Sequence, residues 1–175
     1  MIPELSRVVD PSYLVGLSTV STDNLRQMRA ECSDLENALS YVRRLAQGRL
    51  DLLRAETNER SSGSGATLSD LVDHLPDVLS EGVRGPASGR VNQDLDPPRN
   101  LVDPLVAELD SSVSAATMSA VVEIGDEELS AAVVALRRFE DRLSTARHQL
   151  HETIDSINND LARRIAGGAE GTSKS

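Results

Sequence analysis

Aromatic residues are almost missing from this chain of 175 residues, of which they make up only 2%. They are Tyr13, Tyr41 and Phe139, and there is no Trp. Because large aromatic side chains usually contribute much of the energy of a thick globular core, such a core is not expected. Leu, Ala, Glu, Arg and Asp dominate instead, as they do in long helices. The composition therefore favours an all-α protein.

Cysteine and long apolar runs are also scarce. The single Cys32 excludes a disulfide within the chain. No apolar run approaches the roughly 20 residues of a membrane span. Glu4, Arg7 and Asp10 interrupt the N-terminal region, which therefore does not resemble a signal sequence. These absences predict a cytoplasmic protein that makes no membrane contact.

Basic residues are outnumbered, since 18 Lys and Arg face 28 Asp and Glu and give a formal net charge of −10. Backbone phosphates would repel such a chain, so direct binding to DNA is not expected. A basic partner, such as a protein that itself binds DNA, fits this charge. Acidity that serves only solubility fits it equally well.

Heptad patterning and turn residues divide the chain into five segments. We predict a leader over 1–21, a coiled-coil helix over 22–58, a linker with short amphipathic helices over 59–125, a second coiled-coil helix over 126–166 and a disordered tail over 167–175. Within the linker, Thr67 to Leu79 and Leu101 to Leu109 have apolar residues at helical spacing. The stretch 82–104 is rich in Gly, Pro and Asp, and is predicted to be extended or mobile.

Each predicted coiled-coil helix carries a heptad seam, in which core positions alternate in steps of three and four. The first seam comprises Leu25, Met28, Cys32, Leu35, Leu39, Val42, Ala46, Arg49 and Leu53. The second comprises Leu129, Ala132, Leu136, Phe139, Leu143, Ala146, Leu150, Thr153 and Ile157, each 104 residues after its counterpart. Two such helices can pack parallel or antiparallel, and a connection of about 65 residues is too long to decide between them.

The same offset repeats a polar pattern beside the seam. The two sets, which we call the ligand stripes, are Glu36, Ser40, Arg43, Gln47 and Asp51, and Glu140, Ser144, Arg147, His151 and Asp155. Their spacing keeps the side chains of each set on one stripe of a helix. Arg can bind the N7 and O6 edge of guanine, carboxylates can accept from its N–H groups, and Ser and Gln can donate to phosphates. Arg44, Arg49 and Arg142 are expected nearby, where they would offset anionic charge. The repeat predicts a binding site for a ligand with two-fold symmetry.

Three other interpretations compete with this one. Polar residues at such spacing also occur on ordinary solvated coiled coils, so a structural adaptor without a nucleotide ligand is the alternative. His148, His151 and Asp155 could form half of a metal site, but the first helix has no His to complete it, and no metal is expected. No nucleophile with its base is apparent. No catalytic residue is therefore assigned, and no enzyme is expected.

The pattern Glu-x3-Ser-x2-Arg-x3-Gln-x3-Asp, in two helices of an acidic chain, resembles the RsiG family of actinobacterial anti-sigma factors. The first stripe matches completely, and the second departs only at His151, which stands in place of Gln. The resemblance implies an antiparallel two-helix coiled coil that holds two molecules of cyclic-di-GMP through both stripes. It also implies that the loaded form binds and inhibits the sporulation sigma factor WhiG, which represses the transcription of developmental genes. We expect a monomer before the sigma factor binds.

Overall fold

Two long helices form the body of the protein in the computed structural model, which describes residues 2–62 and 97–171. In chain order the helices are α1 (Pro3–Val9), α2 (Thr22–Ser62), α3 (Arg99–Ser112), α4 (Ala115–Ser119) and α5 (Asp126–Gly171). Two 3₁₀ turns, Pro11–Leu14 and Leu17–Thr19, lie between α1 and α2. The described ranges contain no strand, and the protein is all-α. None of their helices has the length and apolar content to cross a membrane.

Helices α2 and α5 form an antiparallel coiled coil. Residues near the end of one helix contact residues at the start of the other, as Arg60 does with Asp126 and Arg164 does with Thr22. The antiparallel direction, which the heptad pattern alone left open, agrees with the expectation from the family resemblance. The predicted fold class is thereby confirmed.

The predicted seams are the core of this coiled coil. All of their residues are buried except Met28 and Arg49, which are partly buried. Burying a Leu side chain contributes about 1.5–3 kcal/mol, so a long row of aliphatic contacts can replace an aromatic core. The polar interruption at Arg49 has a specific use. Its guanidinium donates to the Val113 carbonyl at 2.9 Å and to Asp110 at 2.6 Å, and it thereby fastens the C-terminal end of α3.

The 104-residue repeat extends beyond the long helices to the short ones. Leu5 in α1 and Leu109 in α3 occupy equivalent positions, and both are fully buried. The turn after each short helix is also capped in an equivalent way, because Asp10 accepts from the Ser12 amide and Ser114 accepts from the Thr117 amide. The fold is thus a pair of similar units, each a short helix, a turn and a long helix, related by an approximate two-fold axis.

An arginine near the end of each long helix fastens the turn that precedes the other. We call these the arginine clamps. Arg60 donates to Glu56 at 2.6 Å, to the carbonyls of Val121 and Ile124 at 3.0 and 2.9 Å, and to Asp126 at 2.8 Å. Arg164 donates to Asp160 at 2.9 Å, to the carbonyls of Leu17 and Val20 at 2.8 and 2.6 Å, and to Thr22 at 3.5 Å. These four partners of Arg60 are each 104 residues from a partner of Arg164, whereas a further bond, from Arg60 to the Val122 carbonyl at 3.2 Å, has no counterpart among the bonds of Arg164.

The leader contains a helix that was not predicted, and one part of the linker differs from its prediction. The leader contains α1, whose Leu5 and Val8 are buried against the coiled coil. The amphipathic helix predicted over Leu101 to Leu109 is confirmed within α3. The expectation of an extended or mobile chain up to residue 104 is wrong over 99–104, because three buried leucines hold α3 together despite Pro104. The helix predicted over Thr67 to Leu79 and the stretch 82–96 lie outside the described residues.

Both long helices continue beyond their predicted ends. Helix α2 extends past residue 58 to Ser62, and α5 extends past residue 166 to Gly171. For residues 167–171 the structure therefore contradicts the predicted disordered tail. Glycine lowers helix stability by only about 1 kcal/mol relative to Ala. The pair Gly167-Gly168 accordingly weakens the helix without ending it.

Candidate functional site

The two ligand stripes meet across one face of the coiled coil. In each helix the stripe begins just after a seam residue, as Glu36 follows Leu35 and Glu140 follows Phe139. Positions that directly follow a core position lie on one side of a coiled-coil seam, and those that directly precede one lie on the other. In an antiparallel pair the two stripes therefore form the walls of one shallow surface, which we call the polar groove.

Two ion pairs join the walls and obey the two-fold repeat. Arg147 Nε lies 2.9 Å from Glu36 Oε1, and Arg43 Nε lies 3.5 Å from Glu140 Oε1. Arg43 Nε also donates to Ser144 Oγ at 3.1 Å, whereas Ser40 Oγ donates to Glu36 at 2.9 Å. All of these side chains are partly buried. The groove is thus lined by groups that are already hydrogen-bonded to one another.

Gln47 and His151 play equivalent parts in this network. Gln47 Nε2 donates to Glu140 Oε1 at 2.7 Å, and His151 Nε2 lies 3.5 Å from Glu36 Oε1. His151, the departure of the second stripe from the family pattern, therefore places a ring nitrogen near the carboxylate of Glu36. Gln47 reaches the equivalent carboxylate, that of Glu140. A neutral imidazole nitrogen can donate one hydrogen bond there, as the amide does, but that nitrogen cannot also accept, whereas the amide carries a donor and an acceptor side by side at its tip.

Glu36 is the most heavily engaged acid of the groove. Partial burial by itself raises the pKa of its carboxyl, but the hydrogen bonds from Arg147, Ser40 and His151 outweigh burial. The net effect is a pKa below the ordinary value of 4.5. Glu36 is consequently an ionised acceptor at neutral pH, suited to N–H donors of a ligand.

The outer ends of the stripes are open. Asp51 and Asp155 are exposed, and the structure does not bring them into contact with the opposite helix. Asp51 makes a long ion pair of 3.5 Å with Arg54 on its own helix. Eight of the ten predicted site residues therefore lie in two equivalent hydrogen-bonded clusters, one around Glu36 and one around Glu140, and these two aspartates lie at their margins.

A cleft of about 520 Å³ continues this face toward the end of α2. Its lining includes Arg54, Arg60 and Arg137, with Leu129 and Val133 as its apolar part. Arg54 and Arg137 were not among the residues predicted from the sequence. Both stand on the same side of their helices as the stripes, Arg54 being one turn beyond Asp51, and that spacing could have indicated them.

Two arginines expected beside the ligand lie on the opposite face instead. Arg49 binds Asp110, and Arg142 lies 2.9 Å from Glu108, so both hold α3. The expectation that they offset ligand charge is wrong, because Arg142 directly precedes a seam residue and Arg49 is itself a seam residue turned toward α3. Arg44 is exposed on α2.

The histidines of α5 do not form part of a metal cluster. Over residues 2–62 and 97–171, no three His, Cys, Asp or Glu side chains come together as metal ligands would. His148 is exposed and pairs with Glu152 on its own helix at 3.5 Å.

The fold and the groove define a class: an antiparallel coiled coil with a two-fold polar surface on one face and short helices on the other. The family follows from comparison with known proteins. The RsiG-like family model matches residues 11–79 and 115–174, well over half of the chain, and the protein belongs to that family. Its two matched segments begin 104 residues apart, at the same offset as the repeat. The family is one of anti-sigma factors. No curated protein matches the chain significantly.

Proposed function

We propose that this protein is a cyclic-di-GMP-dependent anti-sigma factor that binds and inhibits a WhiG-type sporulation sigma factor in the cytoplasm. The observation that carries the proposal is the polar groove, in which two equivalent sets of Arg, Ser, Gln or His and carboxylate groups face each other across an approximate two-fold axis. A cyclic dinucleotide has two equal halves, and two copies of it would offer equal groups to both walls.

The chemistry of the groove fits guanine and phosphate. Arg43 and Arg147 can bind the N7 and O6 acceptors of guanine through two parallel hydrogen bonds. Glu36 and Glu140 are acceptors for base N–H groups, and Asp51 and Asp155 extend the set at its margins. Ser40, Ser144 and Gln47 can donate to phosphate oxygens.

The ion pairs between the walls fit this role because they keep the groove soluble and ordered before the ligand binds. They are partly exposed, and pairs of this kind typically contribute only about 0–1 kcal/mol each. A charge-assisted, bidentate contact to a ligand is stronger. Replacement of an ion pair between the walls by a contact to the ligand is therefore favourable. The proposal requires no catalytic step and no metal.

The proposed regulation follows from thermodynamic linkage. If the nucleotide stiffens the helix pair and so favours binding of the sigma factor, the sigma factor must strengthen nucleotide binding by the same factor. The test is calorimetric titration of the purified protein with cyclic-di-GMP, alone and with the WhiG-type sigma factor. We expect tight binding in the mixture, tighter than for the protein alone, and recovery of intact nucleotide. Absence of heat in both samples would contradict the proposal.

One observation favours a second candidate. Because the walls pair with each other, the stripes could serve only to hold a structural coiled-coil adaptor together. In that case charge-preserving exchange of the pair, with Glu36→Arg and Arg147→Glu combined, would restore the stability that either substitution alone removes. The nucleotide would bind neither form. Under the proposed function the exchanged protein is also stable. The wild-type protein binds the nucleotide, and the exchanged protein does not.

A further inference from the structure

Helix α2 exposes a second apolar row that is neither its seam nor its ligand stripe. The row, which we call the outer stripe, consists of Tyr41, Leu45, Gly48, Leu52 and Ala55. Steps of four and three residues align these positions along one line of the helix. The large members are exposed, Tyr41 by 42%, Leu45 by 37% and Leu52 by 41% of their surface. Apolar side chains exposed in a continuous row are typical of an interaction site.

The outer stripe breaks the two-fold repeat. Its equivalents on α5 are all polar: Thr145, Gln149, Glu152, Ser156 and Asn159. The two halves keep equivalent seams, clamps and ligand stripes, so the folding of the coiled coil does not require this row to be apolar. A ligand with two-fold symmetry does not require it either. The row therefore suits a partner that binds one side of the rod only.

The middle of the outer stripe is open to close approach. A Cβ atom added at Gly48 would have no neighbour within 4 Å in the structure. Glycine in a helix interior lowers stability relative to alanine, so the helix itself gains nothing from Gly48. Between Leu45 and Leu52, Gly48 leaves room for a side chain of a helix laid against α2.

Carboxylates lie at both ends of the apolar row and on its α3 side, while the exposed Arg44 borders its other side. Asp34 and Glu59 continue it at either end, at the same helical spacing. Arg49, which directly follows Gly48, holds the half-exposed Asp110 of α3 beside the centre of the apolar row. A partner complementary to this surface is a helix with an apolar face and basic flanks. Clusters of Lys and Arg along a helix are a feature of DNA-binding proteins.

We propose that the outer stripe of α2 is the docking surface for a basic amphipathic helix of the sigma factor. This inference rests on the proposed function, which supplies a single, asymmetric and DNA-binding partner chain. It assigns different surfaces to the two ligands: the polar groove to the nucleotide and the outer stripe to the protein.

The first test measures whether the sigma factor covers the outer stripe. The variants are Leu45→Cys and its counterpart on α5, Gln149→Cys, both labelled with a maleimide. Cys32 is buried, and burial raises the pKa of its thiol to about 11, so its own labelling is slow. We expect both new thiols to react quickly in the free protein and only the one at position 45 to be protected in the complex.

Other occupants give different results. Protection of position 45 in the free protein that increases with protein concentration, together with a doubled mass in light scattering, would assign the row to a second copy of this chain. Protection independent of concentration would assign it to the chain itself. Equal labelling of position 45 with and without the sigma factor would leave the row without a partner in the complex. Each of these results overturns the inference.

The second test measures affinity with a variant that the fold already tolerates in its other half. Tyr41→Thr, Leu45→Gln and Leu52→Ser together give α2 the residues that α5 carries at the equivalent positions. We expect unchanged helix content and a loss of sigma affinity of about tenfold or more, whereas Gln149→Leu changes affinity little. Full affinity in the triple variant contradicts this inference alone. If the wild-type protein binds no sigma factor, the proposed function fails and the inference falls with it.

Discussion

The half of the chain that ends with α2 and the half that ends with α5 agree in their buried seams, in their arginine clamps and in four of the five residues of their stripes. They differ at the fourth stripe position, where Gln47 is equivalent to His151, and along the outer stripe, which is apolar on α2 only. Residues that occur twice build the fold and a two-fold groove. Residues that occur once are available for a partner without symmetry, and the predictions below test this division.

The largest expected effect concerns the shared core. Leu39 and Leu143 are equivalent seam residues, exposed by 0% and 6%. Truncation of either to Ala leaves a cavity, and we expect each to lower the free energy of unfolding by about 2–5 kcal/mol. Urea denaturation followed by circular dichroism measures it. Leu45→Ala, at an exposed position, is the control and should change stability little. A large cost in one half and none in the other would show that the two seams are not equivalent.

The next effect concerns the groove. Arg43→Ala and Arg147→Ala each remove one guanidinium that the proposed function assigns to a guanine edge. Loss of such a bidentate contact typically costs about 1–3 kcal/mol, or roughly 5–150-fold in affinity. Calorimetry in the presence of the sigma factor should give similar losses for both variants. Arg44→Ala, exposed beside the stripe on α2, is the matched control, and a loss as large in this variant would mean that the arginines act only through general charge.

A smaller effect is expected where the stripes differ. A ring nitrogen of His151 lies 3.5 Å from Glu36, whereas the equivalent Gln47 donates to Glu140 at 2.7 Å. His151→Gln makes the two stripes alike. We expect it to strengthen binding of cyclic-di-GMP by about fivefold, roughly the value of one hydrogen bond, because the amide carries a donor and an acceptor at its tip. Calorimetry in the presence of the sigma factor measures the change, and Gln47→His is the reciprocal variant that should weaken binding. Equal affinity in all three proteins would mean that this position does not contact the ligand.

The smallest effect concerns acid stability. Because the pKa of Glu36 in the folded protein lies below its ordinary value of 4.5, its contribution to stability is complete above that pH. It is lost as the pH falls through the folded-state pKa. The side chain is partly solvated, so we expect less than about 1 kcal/mol. Glu36→Gln should show a shallower loss of stability below pH ~4.5 than the wild type, in denaturant titrations at several pH values. Identical slopes would mean that the cross-groove contact does not stabilise the fold.

Periodic features of this fold could be predicted from the sequence, because a helix in a coiled coil repeats its environment every seven residues. The seams from Leu25 to Leu53 and from Leu129 to Ile157 follow directly from that period, and so does the start of α5 at Asp126. The convergence of the stripes required one further fact, the antiparallel direction. No local pattern encodes that direction when the connection is long.

Features that depend on contacts between distant residues were missed. Helix α1 is short, so its buried Leu5 and Val8 give too few repeats for a periodic signal. Pro104 and the surrounding Gly and Pro residues concealed the start of α3. The clamps of Arg60 and Arg164 bind backbone carbonyls, which have no signature in the sequence. Only a search of the whole chain at the 104-residue offset would have indicated them.

The central claim is that both stripes together form one site for two nucleotides. The number of cyclic-di-GMP molecules bound per chain, measured by calorimetry in the presence of the sigma factor, tests it most directly. We predict two molecules per chain, and weakened binding of both in Arg147→Ala, although that substitution alters only one wall. One molecule per chain, or one bound by the variant with unchanged affinity, would contradict a shared two-fold site.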